Sequence, residues 1–225
     1  MEAGLNKPTK SRARIAGQRD PARTRGAILA AATQEFTAKG LNGARVDTIA
    51  KRSRVNKRMI YHYFGDKEGL YLAVLEATYT VIREAEIGLD LAHRDPLDGM
   101  RELIRFTWQY FIDHPEFLSL LATENLHRAR YLRQSRHIRE LHTPLIDVIS
   151  DLLERGVKQG VFRVGVDPVQ LYVTIASLGF FYMSNRHTLS TIFGREMDSP
   201  ENLGERGRHI VEVVLAYLRD TAGQR

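Results

Sequence analysis

Two short helical patterns separated by a four-residue turn constrain this chain more than any other feature. Val46 and Ile49 share one face of the first pattern, and Ile60 and Phe64 share one face of the second. Residues 53–56 between them leave room only for a tight turn. Two short helices joined in this way form a helix-turn-helix, whose second helix lies in the major groove of DNA.

The second short helix carries side chains suited to DNA. Asn56 is a good N-cap, so Lys57 and Arg58 fall in the first turn. Positive charges there oppose the helix dipole by a few tenths of a kcal/mol. Because phosphate contacts offset that cost, we interpret them as functional: Lys57 is predicted to contact phosphate, and Arg58 to pair with guanine. The predicted DNA contacts are Arg45, Lys57, Arg58, Met59, Tyr61, His62, Tyr63 and Lys67.

Each of these residues also has a purely structural interpretation. Tyr63 serves equally well as a packing residue whose hydroxyl reaches solvent. Arg45, Lys57 and Lys67 are otherwise ordinary solvated charges, and His62 has the weakest claim to a base contact. Arg58 and Met59 are the best candidates for reading sequence.

The charge distribution supports a polyanion-binding N-terminal part. Residues 1–70 hold 15 Lys and Arg against 6 Asp and Glu, whereas the rest of the chain holds 18 against 21. Eight of those 15 basic residues follow Arg25, inside patterned sequence, so a basic tail alone does not explain the excess. This split is typical of a DNA-binding head on a near-neutral body.

The sequence divides into three parts. Residues 1–20 are predicted to be a flexible basic arm, residues 21–66 (the head) a helix-turn-helix domain, and residues 67–225 (the body) a helical effector-binding and dimerisation domain. Apolar periodicity and cap residues predict an all-α fold of about nine helices.

Three local expectations concern the body: where two of its helices begin, and which segment is a candidate strand. Thr143-Pro144 is predicted to begin a helix that runs to Lys158, and Ile210 to begin the last helix, which ends at Leu218. Residues 161–166 are the only short candidate for a strand.

These motifs resemble those of the TetR family of regulators over about residues 22–72. The body resembles the branch of that family that contains the regulator of pyrimidine utilisation. The resemblance implies a repressor that a small-molecule effector releases from a palindromic operator. It rests on Val46-Asp47-Thr48-Ile49-Ala50, Val55-Asn56-Lys57 and Ile60-Tyr61-His62-Tyr63-Phe64-Gly65-Asp66-Lys67-Glu68-Gly69-Leu70 in the head, and on His114-Pro115, Asp167-Pro168 and Phe180-Phe181-Tyr182 in the body.

Two positions depart from the family pattern. Arg54 stands where the family usually has glycine, and a left-handed arginine costs roughly 1 kcal/mol more than glycine. The first short helix lacks the usual threonine cap, since Ala44 and Arg45 precede it, and Asn42 is the expected substitute.

The last two helices are predicted to form a dimer. Residues 169–183 are apolar on nearly every helix face, so the helix must be covered on all sides. The last helix supplies a second apolar stripe, and the resemblance implies that two copies pair as a four-helix bundle. A fully intramolecular core is the alternative.

The resemblance also implies an effector cavity inside the body, bordered by the helix that follows the head. For the aromatic candidates, core packing is the favoured alternative, whereas Glu124 and Asn125 need polar partners. Ile175 and Gly179 differ from the pyrimidine-sensing branch, so the effector stays unassigned. The arginines of residues 128–139 suit an anionic effector or, preferably, a solvated surface. The candidates are Trp108, Phe111, Glu124, Asn125, Arg128, Tyr172, Phe181 and Tyr182.

Other function classes lack their signatures. The sequence has no phosphate-binding GxxxxGK[ST] loop and no HExxH motif, so no enzyme, cofactor or metal is expected. Without cysteine there are no disulfides, and without an apolar run of about 18 residues no membrane span is expected. A basic architectural or membrane-surface protein would need a longer basic face. The expected partners are double-stranded DNA, a second copy of the chain and an unidentified small molecule, in the cytoplasm.

Overall fold

The computed structural model describes residues 20–219, except the side chains of His142 and Thr143. Within this range the chain forms nine α-helices and no strand, which confirms the predicted all-α fold. Two 3₁₀ turns, Leu91–His93 and Leu132–Gln134, interrupt the connections. The helices are α1 (Pro21–Gly43), α2 (Val46–Ser53), α3 (Lys57–Phe64), α4 (Lys67–Ile87), α5 (Pro96–Asp113), α6 (Pro115–Leu126), α7 (Arg136–Lys158), α8 (Pro168–Phe193) and α9 (Pro200–Leu218).

Helices α1 to α3 make up the head around a small apolar core. Asp20 accepts a hydrogen bond from the amide of Ala22 at 3.0 Å, which begins α1. Gly40 has a φ of 63°, so the chain kinks there and then continues in a short helical turn. Phe36 of α1, Ile49 of α2 and Ile60 of α3 are almost completely buried. The predicted basic arm lies outside the described residues apart from Asp20.

Helix α4 connects the head to the rest of the body. The Asp66 carboxylate accepts a hydrogen bond from the amide of Gly69 at 2.7 Å and caps the helix, as predicted. Near its start α4 packs on α1 and α3, and it also packs on α7. Since α4 shares its surface between the two parts, a domain boundary at residues 66 and 67 stays a prediction.

Helix α5 lies at the centre of the body and packs on α7, α8 and α9. Two glycines permit this close approach. A Cβ at Gly179 of α8 would lie 2.9 Å from Phe111, and one at Gly207 of α9 would lie 2.8 Å from Trp108. Gly179 therefore stands in α8 because α5 leaves no space for a side chain.

Two of the predicted helix starts were wrong, and the one short candidate for a strand is not a strand. Helix α7 begins at Arg136 because the Ser135 hydroxyl caps the amide of Ile138 at 3.1 Å, and Pro144 lies inside the helix. Helix α9 begins at Pro200, well before Ile210, behind the cap residue Ser199. Residues 161–166 form a loop, tied to the end of α9 by a hydrogen bond from the Arg163 amide to the Leu218 carbonyl at 2.8 Å.

No helix in residues 20–219 is long and apolar enough to cross a membrane.

Candidate nucleic-acid interface and effector cavity

The turn between α2 and α3 fixes the two helices against each other. Arg54 adopts the left-handed conformation with a φ of 56°, the backbone that the sequence predicts for this position. The Val55 amide then donates to the Ala50 carbonyl at 3.1 Å, and Val55 is buried beside Ile49 and Ile60. The helix-turn-helix is therefore present, with α3 as its second helix.

The start of α2 differs from the expectation. Arg45 occupies the cap position without a side-chain cap hydrogen bond, so the prediction that Asn42 caps this helix was wrong. Glu35 of α1, which is buried, instead accepts a hydrogen bond from the Arg45 amide at 3.3 Å. Glu35 also pairs with Arg52 at 3.7 Å. The sequence signal for this missed residue was a carboxylate on the buried face of α1.

The first turn of α3 carries its charges into solvent. The Asn56 side chain accepts a hydrogen bond from the Arg58 amide at 2.8 Å, which confirms the predicted cap. The Lys57 ammonium pairs with the Asp47 carboxylate of α2 at 2.8 Å. This hydrogen bond lowers the pKa of Asp47 and raises the pKa of Lys57. The pair is exposed, so it contributes little to folding and stays open to exchange with phosphate.

The predicted DNA contacts divide by exposure. Arg45, Arg58, Tyr61 and His62 are exposed. The other four candidates, Lys57, Met59, Tyr63 and Lys67, are half-buried. Met59 and Tyr63 pack partly on the core, so both combine the packing and the surface interpretation.

Lys67 lies at the start of α4 and is tied to the head. Its ammonium donates to the Ala44 carbonyl at 3.0 Å and to the Asn42 carbonyl at 3.3 Å. A lysine ammonium has three donors, so these bonds leave one N–H for another acceptor. Lys67 therefore braces the link between α1 and α2 against α4, which sequence reasoning had not anticipated.

The effector candidates of α5 and α8 do not form one cavity. Trp108, Phe111 and Tyr182 come together, with the Trp108 indole donating to the Leu203 carbonyl at 3.2 Å and the Tyr182 hydroxyl to the Met197 carbonyl at 2.8 Å. Trp108 also borders an open groove of about 920 Å³ between α5 and α9. Phe181 is 59% exposed, so it faces outward instead.

The polar effector candidates in α6 and just after it do not lie together either. Glu124 is buried beneath α4, where its carboxylate accepts a hydrogen bond from the Leu132 amide at 2.9 Å. Burial and the nearby Glu124 carboxylate raise the pKa of the Tyr71 hydroxyl. Asn125 and Arg128 are exposed on the surface. One Glu124 oxygen therefore has a backbone partner, whereas its Oε1 atom has no hydrogen-bond partner among the described residues.

Tyr172 leads to a buried polar group that sequence reasoning missed. Its hydroxyl accepts a hydrogen bond from the Arg83 guanidinium at 3.1 Å, and Arg83 pairs with Glu86 at 2.8 Å. Both charged side chains lie on α4 and are only 3% and 4% exposed. The available signal was two charges at a spacing that places them on the same helix face as Ile82 and Tyr79.

The pair borders a cavity of about 50 Å³ between α4 and α7. Burial raises the pKa of Glu86 to about 7, although the nearby Arg83 lowers it. Among the described residues, the Nε atom of Arg83 has no hydrogen-bond partner. The remaining lining is apolar: Ile87, Leu91, Leu141, Pro144, Leu145 and Val148.

Two family profiles match the chain. Residues 28–74 match the bacterial regulatory proteins of the tetR family, and residues 96–214 match the tetracyclin repressor-like C-terminal domain. The second match alone covers more than half of the chain. The chain belongs to the TetR family. The resemblance in the sequence is thus confirmed, and the chain is a transcriptional regulator of the DNA-binding helix-turn-helix type.

Individual relatives agree with this assignment. The transcriptional repressor NicS of Pseudomonas putida is 40% identical over 197 residues, which cover 88% of this chain and 93% of NicS. The regulator RutR of Escherichia coli is 31% identical over 226 residues, covering 97% and 99% of the two chains. The putative transcriptional regulator SCO4942 of Streptomyces coelicolor superposes with a TM-score of 0.65 at 25% identity, over 87% of this TetR-family chain and 98% of its own.

Proposed function

We propose that this TetR-family chain is a dimeric repressor that binds a palindromic operator through α3 and leaves it when an effector binds in the body. The observation that carries the proposal is the first turn of α3, which Asn56 caps, where Arg58 is exposed and the half-buried Lys57 keeps 43% of its side chain accessible. The relative NicS is a transcriptional repressor, which supports the same direction of control. Because it acts on operator DNA, we place the protein in the cytoplasm.

Arg58 is the proposed reader of sequence. It is exposed at the N-terminal end of α3, which is the part of such a helix that reaches base edges in the major groove. A bidentate contact to guanine discriminates by about 1–3 kcal/mol. Met59 would add an apolar contact to thymine methyls, and Tyr61 and His62 would extend the same surface.

Lys57 and Arg45 are proposed to contact phosphates. Release of Lys57 from its exposed pair with Asp47 costs little, so a phosphate oxygen replaces the carboxylate at small expense. Arg45 is exposed at the start of α2. From there we expect it to contact a phosphate of the DNA strand opposite the one that α3 contacts. We assign Lys67 a weaker role, because two of its three donors already bind carbonyls.

The dimer is proposed to form through α8 and α9. On α8, Val169, Val173 and Phe181 are 48%, 49% and 59% exposed, and on α9 Val213 and Tyr217 are 39% and 45% exposed. These large apolar side chains lie on the two helices that the family resemblance assigns to the dimer. Their burial against a second copy is the simplest way to remove them from water. Two heads then face half-sites about 34 Å apart.

Helix α4 is the proposed lever between effector and DNA. It contacts α1 in the head and α7 in the body, and its later part borders the Arg83–Glu86 cavity. A ligand that enlarges this cavity shifts α4 and changes the separation of the two heads. The open groove between α5 and α9 has no lining residue from α4, so it offers no such lever. Coupling between such sites is typically about 1–3 kcal/mol.

The test is footprinting of the full chain on fragments of its own genome, followed by binding selection on random DNA. We expect protection of a short palindrome and a fall in operator affinity of about 10³–10⁵ between about 50 and 200 mM salt for 6–10 phosphate contacts. Equal protection along the whole of each DNA fragment, or an operator affinity that does not change with salt concentration, would contradict the proposal.

A further inference from the structure

A buried ion pair with unused hydrogen-bonding capacity lies on the lever helix. The Arg83 and Glu86 side chains are 3% and 4% exposed, and their charged groups are 2.8 Å apart. One N–H of Arg83 donates to the Tyr172 hydroxyl. The Nε and Nη1 atoms of Arg83 and the Oε2 atom of Glu86 have no hydrogen-bond partner among the described residues, so the 2.8 Å contact is an ion pair without hydrogen-bond geometry. A buried guanidinium with a free donor retains capacity to bind an additional acceptor.

The cavity beside the pair has space for part of a small molecule. Its volume is about 50 Å³, and apart from Arg83 and Glu86 its lining is apolar. The wall formed by α7 contains Pro144, which has no amide to donate to the preceding turn of the helix.

Among the described side chains that line this cavity, Glu86 is the one exchangeable proton site near neutral pH. Arg83 is permanently charged. Tyr110 of α5 faces the pair and Tyr79 lies on α4, and burial raises the pKa of each phenol to about 12. Tyr172 of α8 accepts the Arg83 hydrogen bond. The residues that α7 contributes to the cavity are apolar.

The carboxylates of α6 lie farther along this network. The charge of Glu116 helps to raise the pKa of the Tyr110 phenol, and Glu116 also pairs with the His114 ring at 2.9 Å. The charge of Glu124 helps to raise the pKa of Tyr79. Neither is a cause of the raised pKa of Glu86. Glu86 is therefore the group that takes up a proton when the charge of this site changes.

We propose that this cavity is the effector site and that the effector is a small organic carboxylate, which displaces Glu86 from Arg83 and binds together with one proton. The inference rests on the proposed function, because it names the chemistry of the effector in that scheme. In the exchange the ion pair between Arg83 and Glu86 breaks, and the ligand carboxylate pairs with Arg83. A proton from solvent then neutralises Glu86.

Charge balance is the physical reason for this coupling. The empty site is neutral, so an anion that entered alone would leave one uncompensated buried charge, which is strongly unfavourable. Uptake of a proton by Glu86 restores neutrality, and burial has already raised the pKa of this carboxyl to about 7. The neutral Glu86 then gains an O–H that can donate to the ligand. An uncharged ligand has no comparable means of separating Arg83 from Glu86.

The test is calorimetry of the full-length wild-type dimer with acetate and benzoate, and with acetamide and benzamide as neutral isosteres. At about pH 8, titrations in two buffers of different ionisation enthalpy report the number of protons taken up. We expect a carboxylate to bind with uptake of nearly one proton and its amide not to bind. Between about pH 7 and 9 the Kd of the carboxylate should rise about tenfold per pH unit.

Variants on the same helix sharpen the result. With Glu86→Gln we expect the carboxylate to bind without proton uptake and with a flat pH profile, whereas the matched exposed control Glu84→Gln should behave as wild type. Arg83→Lys should weaken binding, because an ammonium lacks the bidentate fork. The wild-type proton count decides the question even if the Glu86 variant does not fold.

Three outcomes would overturn the inference: amides binding as tightly as carboxylates, carboxylate binding without proton uptake, or no binding by any probe of the series. Operator affinity of the ligand-free protein is measured in parallel. If the protein binds its operator but fails these titrations, only the proposed carboxylate site is contradicted. If the protein binds a carboxylate together with a proton but protects no operator, the proposed function is contradicted instead.

Discussion

In the head, the charged side chains of α3 are in contact with solvent, whereas in the body Arg83 and Glu86 are sealed inside the protein. Lys57 and Asp47 form an exposed pair with a separation of 2.8 Å, and Arg83 and Glu86 form a buried pair with the same separation. The exposed pair exchanges partners at little cost, since water screens both charges. The buried pair cannot lose a partner without a replacement. We therefore propose that two ion pairs of equal separation serve DNA binding in one region and ligand-linked proton uptake in the other.

The strongest test of this contrast is charge reversal on α3. The double substitution Lys57→Glu and Arg58→Glu should lower operator affinity by on the order of 100-fold or more, because each subunit of the proposed dimer would lose its proposed guanine and phosphate contacts. Fluorescence anisotropy with labelled operator measures the loss. The free energy of unfolding should change little, since Arg58 is exposed and Lys57 loses only an ion pair that water screens.

The matched control reverses two exposed charges on α7, with Arg139→Glu and Lys158→Glu. These body residues lie away from α3, so operator affinity should stay close to that of the wild type. An equal loss in both double variants would mean that net charge, and not the surface of α3, determines binding.

The next largest effect concerns the pH dependence of stability. Burial raises the pKa of Glu86 from 4.5 to about 7, so the folded state binds this proton more tightly than the unfolded state. The associated stability is complete below about pH 4.5 and is lost as the pH rises to about 7, a change of roughly 3 kcal/mol at most. Urea unfolding of wild type and Glu86→Gln across this range should give a difference curve with that fall.

Exposed carboxylates should show no such curve. Glu84→Gln alters the same helix without altering a buried charge, so its difference from wild type should be nearly independent of pH. A flat curve for Glu86→Gln as well would show that the buried pair titrates like a surface pair, and the contrast between the regions would fail.

A smaller effect tests the cap of α3. Asn56→Ala removes the acceptor for the Arg58 amide and should destabilise the protein by about 1 kcal/mol. Asn56→Ser retains a cap oxygen and should stay within a few tenths of a kcal/mol of wild type. Thermal unfolding measures both, and equal losses for the two variants would argue against a capping role.

The smallest expected effect is at the turn. Arg54→Gly should stabilise the head by up to about 1 kcal/mol, because glycine adopts the left-handed backbone at φ 56° without steric cost. Arg54→Ala removes the charge but keeps the unfavourable backbone, so its stability should not rise. A gain in both variants would assign the effect to charge instead of conformation.

The motifs of the head were accessible from the sequence because they depend on local rules. Asn56 and Asp66 cap their helices as predicted, and Arg54 adopts the left-handed turn. The prediction that failed in the head concerned a local motif, but a contact from a distant part of the chain overturned it. The sequence offered Asn42 as the cap of α2, whereas Glu35 reaches the Arg45 amide from another helix.

The body followed local rules less closely. Thr143-Pro144 has the appearance of a helix start, yet Ser135 caps α7 earlier and Pro144 lies inside the helix. The effector candidates were chosen as polar or aromatic residues, and the structure distributes them among a packed aromatic group, the underside of α4 and the surface. Of these candidates, Tyr172 is the one that contacts Arg83.

The sequence by itself determined the all-α class, the turn between α2 and α3 and the charged first turn of α3, because caps, periodicity and backbone preferences act between residues close along the chain. Only the tertiary structure decided which charges are buried. Arg83 and Glu86 look like ordinary helical surface charges until α5, α7 and α8 cover them. Burial is a sum over distant segments, and no local pattern carries it.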